Sequence, residues 1–424
     1  MEHDIYKKSR IIYIIEAALE YFISILVADA YLATLARSIG IKDSVTGIIS
    51  SFISLGCVFQ LIAMFMSRGS AKRTVTVFSV FNQILFMMLY VIPLTDTSDT
   101  LRRLSFIICI FVAYFLYNVA HPKKINWLMS LVEDRKRGRF TAAKEIVSLV
   151  SGMIFSYSMG ATVDHYKEKG DIRSAFIVCG VTIFVLMIMH TVSLLLTKEK
   201  PITHEYDGKR DILSVLKDRN LIKVSVVFII WNIATYSARP FFGTYQTSEL
   251  GFSFKFISML GIYSAIARVL ASIVLGIYAD KRSFAKMIRI CFIIAALSFL
   301  AVVFCVPENG KVMYTIYMIL YAIAMGGINS ALINLCYDYV AFDNRVHALA
   351  LTQALAGLAG FFSTMLFSLI VNRIQLNGNT FFGIKLYAQQ VVSAIAFLLT
   401  VIVIIYVSIS LIKGSKRHGG RIYY

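Results

Sequence analysis

Twelve long apolar stretches leave this chain few ways to fold. They cover residues 11–35, 45–66, 75–94, 104–132, 141–163 and 172–196, then 221–245, 256–278, 287–306, 312–337, 348–371 and 386–412. Each is long enough to cross a bilayer as a helix, which needs about 20 mostly apolar residues. Runs this long and continuous are helical, because barrel strands would alternate over about ten residues. With 58% hydrophobic residues, 16% charged residues and a mean hydropathy of +0.73, the chain is too apolar for a soluble domain. The expected fold is therefore an all-α polytopic membrane protein with twelve transmembrane helices in two six-helix bundles.

One long polar interval, residues 198–220, separates the bundles, and 11 of its 23 residues are charged. It belongs in water. The expected organisation is a first bundle over 1–197, a central cytoplasmic loop over 198–220, a second bundle over 221–412 and a cytoplasmic tail over 413–424. The start, MEHDIYKKSR before an apolar run, has some look of a signal peptide. The run carries Glu16 and Glu20 and is as long as a full span, so a retained first helix is expected.

The formal net charge of +18 does not point to nucleic acid, because the basic residues gather at the ends of apolar segments. With the N-terminus inside, the inward connections hold 25 lysines and arginines and the outward ones 11. By the positive-inside rule both termini are cytoplasmic, in a multi-pass protein of the cell membrane. The six cysteines show no C-x-x-C spacing and read as small apolar helix residues. Residues 137–156 align without a gap on 345–364, matching Arg137 with Arg345 and Gly152 with Gly360, as two pseudo-symmetric halves require.

After the eighth span the chain reads Gly276-Ile-Tyr-Ala-Asp280-Lys281-Arg282-Ser-Phe. This resembles the G-x-x-x-D-(R/K)-x-G-(R/K) loop of the major facilitator superfamily, and the Arg137-Gly138-Arg139 turn is similar to another loop of that family. The resemblance covers essentially the whole chain. It implies a secondary carrier that moves a small solute by alternating access. It also implies a cytoplasmic gate in which Gly276 lets helices approach closely while Asp280 and Lys281 form a charge latch. The equivalent first-half stretch, 63–73, lacks the Gly and the Asp, so no such latch is expected there. The fifth span lacks the Gly-Pro signature of the family's drug/proton antiporters and the fourth lacks their R-x-x-Q-G.

Ionisable residues within spans are costly and mark candidate sites. In the first span Tyr13, Glu16, Glu20, Ser24, Tyr31 and Thr34 form one polar stripe, with Asp29 on the opposite face. Glu20 is the candidate proton-coupling residue, with a structural ion pair as the alternative; Glu16 and Glu20 are candidate solute ligands. On the fourth span Tyr117, His121 and Lys124 share a face, and Pro122 interrupts the helix ladder. The resemblance places the first, fourth, seventh and tenth spans around a central cavity. Lys124 would then face Glu20, to bind an anionic group or to neutralise the carboxylate. Asn232, Tyr236 and Arg239 share a face of the seventh span, Arg239 as a carboxylate fork or as a snorkelling arginine. Ser330, Asn334 and Asp338 form a row on the tenth, with Asp338 a further gate candidate, and Arg268 reads as pairing with a carboxylate. Small residues on the fifth and eleventh spans read as packing seams.

No G-x-x-x-x-G-K-(S/T) or H-E-x-x-H motif is present, so neither an ATP-driven pump nor a metalloprotease is expected. No enzyme activity, cofactor or metal is expected. The partners are a small solute, which Lys124 and Arg239 with several tyrosines suggest is a polar organic compound bearing an acid group, and protons or another coupling ion. The bilayer is the solvent, and the chain is expected to act as a monomer. The alternatives are a lipophilic-cation/proton antiporter using Glu16 and Glu20, and a non-transporting receptor on a carrier fold.

Overall fold

The computed structural model describes residues 5–61, 70–133, 137–200, 219–339, 345–381 and 384–413. Twelve helical segments match the twelve apolar stretches. In the first half they are α1 (Lys7–Leu26) with α2 (Asp29–Ser38), α3 (Asp43–Ser50) with α4 (Phe52–Phe59), α5 (Ala71–Val91), α6 (Asp99–Ser130), α7 (Arg137–Glu168) and α8 (Ile172–Leu196). In the second they are α9 (Arg219–Ala238), α10 (Phe254–Lys281), α11 (Phe284–Val303), α12 (Gly310–Tyr339), α13 (Arg345–Leu376) and α14 (Ala388–Val407). A two-residue hairpin, Thr380–Phe381 with Ile384–Lys385, joins α13 to α14. Among the described residues ten helices are long and apolar enough to cross a membrane, and the bent pair α1/α2 makes an eleventh. The second expected span is present as the shorter Asp43–Phe59, and its part beyond residue 61 lies outside the described residues.

Two expected spans differ in shape. The first is broken: α1 and α2 meet at 42°, and Asp29 at the break has φ 42°. An aspartate tolerates that conformation better than most residues, because its short side chain can bond locally. The polar stripe therefore does not run straight, and Asp29 is exposed at the bend rather than packed against a neighbouring helix. The seventh span is α-helical only to Ala238. Pro240 then sits in a 3-10 turn, Arg239–Phe241, and a π turn ends the segment at Glu249. Proline lacks an N–H and its ring clashes with the preceding turn, which explains the change of winding.

The chain forms two compact units, 1–208 with 252–259 and 209–251 with 260–424. In the first, α1 packs on α7 and α8, and α5 packs between α6 and α8. A core of Tyr13, Val75, Trp127, Leu128, Leu131 and Leu194 closes one end. There Lys198 and Glu199, the start of the polar interval, are tied down. Glu199 accepts from the α5 N-terminus, Ala71 N at 2.6 Å, and from Ser70 Oγ at 2.6 Å. A carboxylate is favoured there by the helix dipole and the unpaired N–H groups. Trp127 Nε1 donates to Lys198 O at 3.0 Å, and Lys198 N donates to Ser9 Oγ at 3.1 Å. Asp164 of α7 caps α10 in the same way, accepting from Phe254 N at 2.8 Å and Lys255 N at 2.7 Å. Most of 198–220, nearly all of the tail and most of the 63–73 stretch lie outside the described residues.

In the second unit α9 packs on α13 and α14, and α11 on α12 and α14. The small residues of α13 serve the seam with α9: Thr352 Oγ1 and Ser225 Oγ are 2.8 Å apart, and Thr364 Oγ1 donates to Tyr236 O at 2.7 Å. Neighbouring backbone comes close at Gly326, where a Cβ would lie 2.9 Å from Arg268 O and 3.2 Å from Ser272 N. Both are backbone atoms that cannot yield. α7 and α13 carry the two stretches matched by the internal repeat. Arg268 corrects its expected pairing: its side chain is exposed, with no ion pair among the described residues.

Gly276 corrects another expectation, since a Cβ there would meet nothing within 4 Å. The two glycines therefore separate in a mutational test. Gly326→Ala is expected to destabilise the protein by about 1–3 kcal/mol through overpacking. Gly276→Ala is expected to be neutral or to stabilise by up to about 1 kcal/mol, since Ala is the better helix former. Thermal unfolding of the detergent-purified protein checks both; equal losses in the two variants would contradict the packing described.

Candidate functional site

The ionisable residues of the first unit converge on one buried cluster. Glu16 and Glu20 are one turn apart on α1, so their carboxylates project from the same face. α6 brings Lys124 between them. Its ammonium contacts Glu16 Oε1 and lies 2.7 Å from Glu20 Oε2. Lys124 and Glu16 are buried, at 5% and 1% exposure, whereas the Glu20 side chain keeps 26%. Glu16 is thus the inner carboxylate and Glu20 the open one. Burying such charges costs several kcal/mol each unless they are paired and hydrogen-bonded.

Two further residues complete the cluster. His190 of α8, fully buried, places Nε2 2.7 Å from Glu16 Oε1, and Gln83 of α5 places Nε2 2.9 Å from His190 Nδ1. Nε2 thus faces the Glu16 carboxylate, and Nδ1 faces the Gln83 amide, which can donate to it or, turned over, accept from it. The row Gln83, His190, Glu16, Lys124, Glu20 draws on four helices. Among its buried acceptor oxygens, Gln83 Oε1 and Glu16 Oε2 have no hydrogen-bond partner among the described residues, and neither has the neighbouring Tyr13 Oη.

A small cavity of about 10 Å³, room for about one water molecule, opens against the Glu20 end. Ser79, Asn82, Tyr117, Ala120 and His121 line it with Glu20 and Lys124. Asn82 is held by donation to Ala113 O at 2.8 Å, and the Tyr117 and His121 rings lie 5.5 Å apart. The lining is hydrogen-bonding but, apart from Glu20 and Lys124, not formally charged. Glu16, Glu20 and His190 present ligand atoms within 4.8 Å of one another, a spacing that suits a cation. The protein's own ammonium already stands against both carboxylates.

The candidate residues of the second unit form no comparable cluster. Asn232 Nδ2 donates to Phe228 O at 2.9 Å and Asn334 Nδ2 to Ser330 O at 2.8 Å, so each amide bonds its own helix. Arg239 is exposed; its guanidinium lies 4.8 Å from the Tyr321 ring centroid and donates to Tyr321 Oη at 3.3 Å. Tyr321 belongs to an aromatic column with Tyr314, Tyr317 and Trp231. Tyr236 is half-buried on α9. Of the gate candidates, Asp280 and Lys281 are exposed at the end of α10 without an ion pair among the described residues, and Asp338 is exposed on α12.

The sequence matches the profile of the Major Facilitator Superfamily over residues 12–364. The chain belongs to the major facilitator superfamily. Membership places it among multi-pass membrane transporters rather than enzymes, and the solved structures agree on the fold. A nucleoside transporter, NupG, superposes with a TM-score of 0.71 at 12% identity over 95% of this chain and 98% of its own. A D-xylose-proton symporter gives 0.67 at 12% identity over 94% and 97%. A bacterial homologue of the human lysosomal transporter Spinster gives 0.65 at 11% identity over 97% and 96%. No curated protein matches the sequence. Among superfamily members, then, this chain carries a charged cluster in its first six helices, and sequence reasoning found three of its five residues. His190 and Gln83 were missed. A histidine inside the sixth span was the available signal, since ionisable residues within spans are expensive to bury.

Removing the shared cation tests whether the cluster is an interdependent unit. Lys124→Met leaves two facing carboxylates and is expected to cost about 3–5 kcal/mol, the penalty for stranding a buried charge. Adding Glu16→Gln and Glu20→Gln is expected to restore most of it. Thermal unfolding of the single and triple variants reads this directly; a triple variant no more stable than Lys124→Met would show that the charges are not coupled.

Proposed function

We propose that this protein is a proton-coupled secondary carrier of a small, polar, uncharged solute in the cell membrane, working by alternating access of its two six-helix halves. The observation that carries this reading is Lys124 held between an enclosed carboxylate and an open one beside a hydrogen-bonding cavity. Glu20 is the residue at which proton and solute act. Protonation of Glu20 frees Lys124 from one partner, and a solute hydroxyl or carbonyl then takes the vacated hydrogen bond. Loading of proton and solute is thereby linked through one ammonium. No nucleotide-binding loop is present in the sequence, so a gradient supplies the work.

An acidic solute, the reading that Lys124 and Arg239 suggest from sequence, fits less well. Lys124 is already shared by two carboxylates, and an anion would have to displace Glu20 against like charge. The hydroxyls and amides around the cavity suit a hydroxylated neutral compound, and the fold neighbours include a D-xylose-proton symporter and a nucleoside transporter. Asn232, Tyr236, Arg239 and Asn334 remain proposed solute contacts from the second half. Asp280, Lys281 and Asp338 remain proposed cytoplasmic gate residues, and both termini are proposed to be cytoplasmic. A lipophilic-cation antiporter using the same glutamates is the second reading, favoured by the excess of carboxylates over cations in the cluster.

Transport by proteoliposomes separates the readings. With a panel of pentoses, nucleosides, organic acids and lipophilic cations, an inward proton gradient is expected to accumulate a neutral polyol. Glu20→Gln is expected to abolish accumulation while sparing exchange. Accumulation unchanged in Glu20→Gln would remove Glu20 from coupling, and uptake confined to lipophilic cations would make the antiporter the better reading.

A further inference from the structure

The charges of the cluster do not balance. With Glu16 and Glu20 ionised and Lys124 protonated, the lysine bridge carries two negative charges and one positive, so one negative charge is uncompensated beside fully buried groups. A buried unpaired charge is strongly unfavourable. The bridged arrangement therefore calls for one more positive charge close to Glu16. His190 is the group in position to supply it, with Nε2 2.7 Å from Glu16 Oε1.

The surroundings of His190 show how it would be held. From α1 it meets Glu16, flanked by Tyr13 and Glu20; α6 contributes Lys124 and His121 to the same cluster. α7 contributes Lys144, half-exposed and held over the Tyr13 ring at 5.3 Å. α5 presents the Gln83 amide and has no charged side chain between Arg73 and Val91. The amide is the informative contact. With its nitrogen toward Nδ1, Gln83 Oε1 is a buried acceptor with no donor among the described residues. Turned over, the same amide presents that oxygen to an Nδ1–H. One orientation serves the neutral imidazole and the other the imidazolium, because a glutamine amide carries an acceptor and donors on opposite sides.

We infer that His190 is a second, enclosed seat for the coupling proton, occupied while Lys124 bridges Glu16 and Glu20 and emptied when Glu20 is protonated, with the Gln83 amide reversing as the proton arrives or leaves. No bond other than those to the proton changes: Nδ1 gains it as His190 becomes cationic and loses it to water or a carboxylate as Glu20 neutralises. Charge balance makes the two seats alternatives. This deepens the carrier reading and rests on it, by placing the proton when the open carboxylate is ionised.

The test needs no solute. Met189–His190 is the single Met–His pair in the sequence, so carbonyl-labelled methionine with ring-labelled histidine assigns His190 by nitrogen NMR in the full-length protein. On lowering pH from about 8.5 to about 5, a range spanning ordinary histidine titration, the His190 ring is expected to pass from one protonated nitrogen to two. In Glu20→Gln, where the cluster is already neutral, the two-proton form is expected to be lost at the same pH. Gln83→Met, which offers no acceptor oxygen, is expected to lose it as well. The inference is overturned if the wild-type ring keeps a bare nitrogen at every pH at which the protein stays folded, or if Glu20→Gln leaves the two-proton form unchanged. Failure here and failure of the carrier reading remain distinct. A neutral His190 together with coupling that depends on Glu20 would leave the proton on Glu20 alone. A titrating His190 in a protein that moves none of the solutes would instead remove the carrier reading and keep the proton seat.

Discussion

An ammonium shared by two carboxylates holds the centre of the first unit together. Lys124 alone could not remain charged at 5% exposure, and neither could Glu16 at 1%; each is tolerable only because the other is there. The pairing fixes the rotation of α6 against α1. His190 extends the same constraint to α8, and Gln83 extends it to α5. Four helices are thus oriented by a few polar contacts in surroundings where the apolar residues, being as content against lipid as against each other, specify little.

The ends of the helices obey a related rule. Away from water, backbone N–H groups need acceptors. Glu199 serves the first turn of α5 and Asp164 that of α10, each from a distant point in the chain. No Asp or Gly of the kind found in the family's repeated loop precedes α5. The carboxylate at that helix start is supplied instead by the first residues of the polar interval. Sequence comparison at the loop could not reveal it, because donor and acceptor are more than 120 residues apart.

The same reasoning separates what was legible from what was not. The twelve spans could be read because length and apolarity are local properties, and the break in the seventh follows from Pro240. The bend between α1 and α2 could not be read, since residues 26–28 contain no proline or glycine. Glu16, Glu20 and Lys124 stood out because a charge in a span is conspicuous. Gln83 did not, because an uncharged amide in an apolar run gains meaning only from the ring it touches. Gly276 drew attention through its motif, yet a Cβ there would meet nothing within 4 Å, whereas one at Gly326 would meet a neighbouring backbone.

By itself the sequence determined a polytopic helical membrane protein with two related halves, because hydrocarbon thickness and backbone hydrogen bonding permit little else for twelve such runs. The residues that could bear charge in the membrane were visible too. Only the tertiary structure decided which charges meet, which carboxylate is enclosed and which faces the cavity, and that a histidine and an amide stand behind them. Those facts depend on helix rotations and distances between helices far apart in the chain, and the periodicity of one helix at a time carries no information about either.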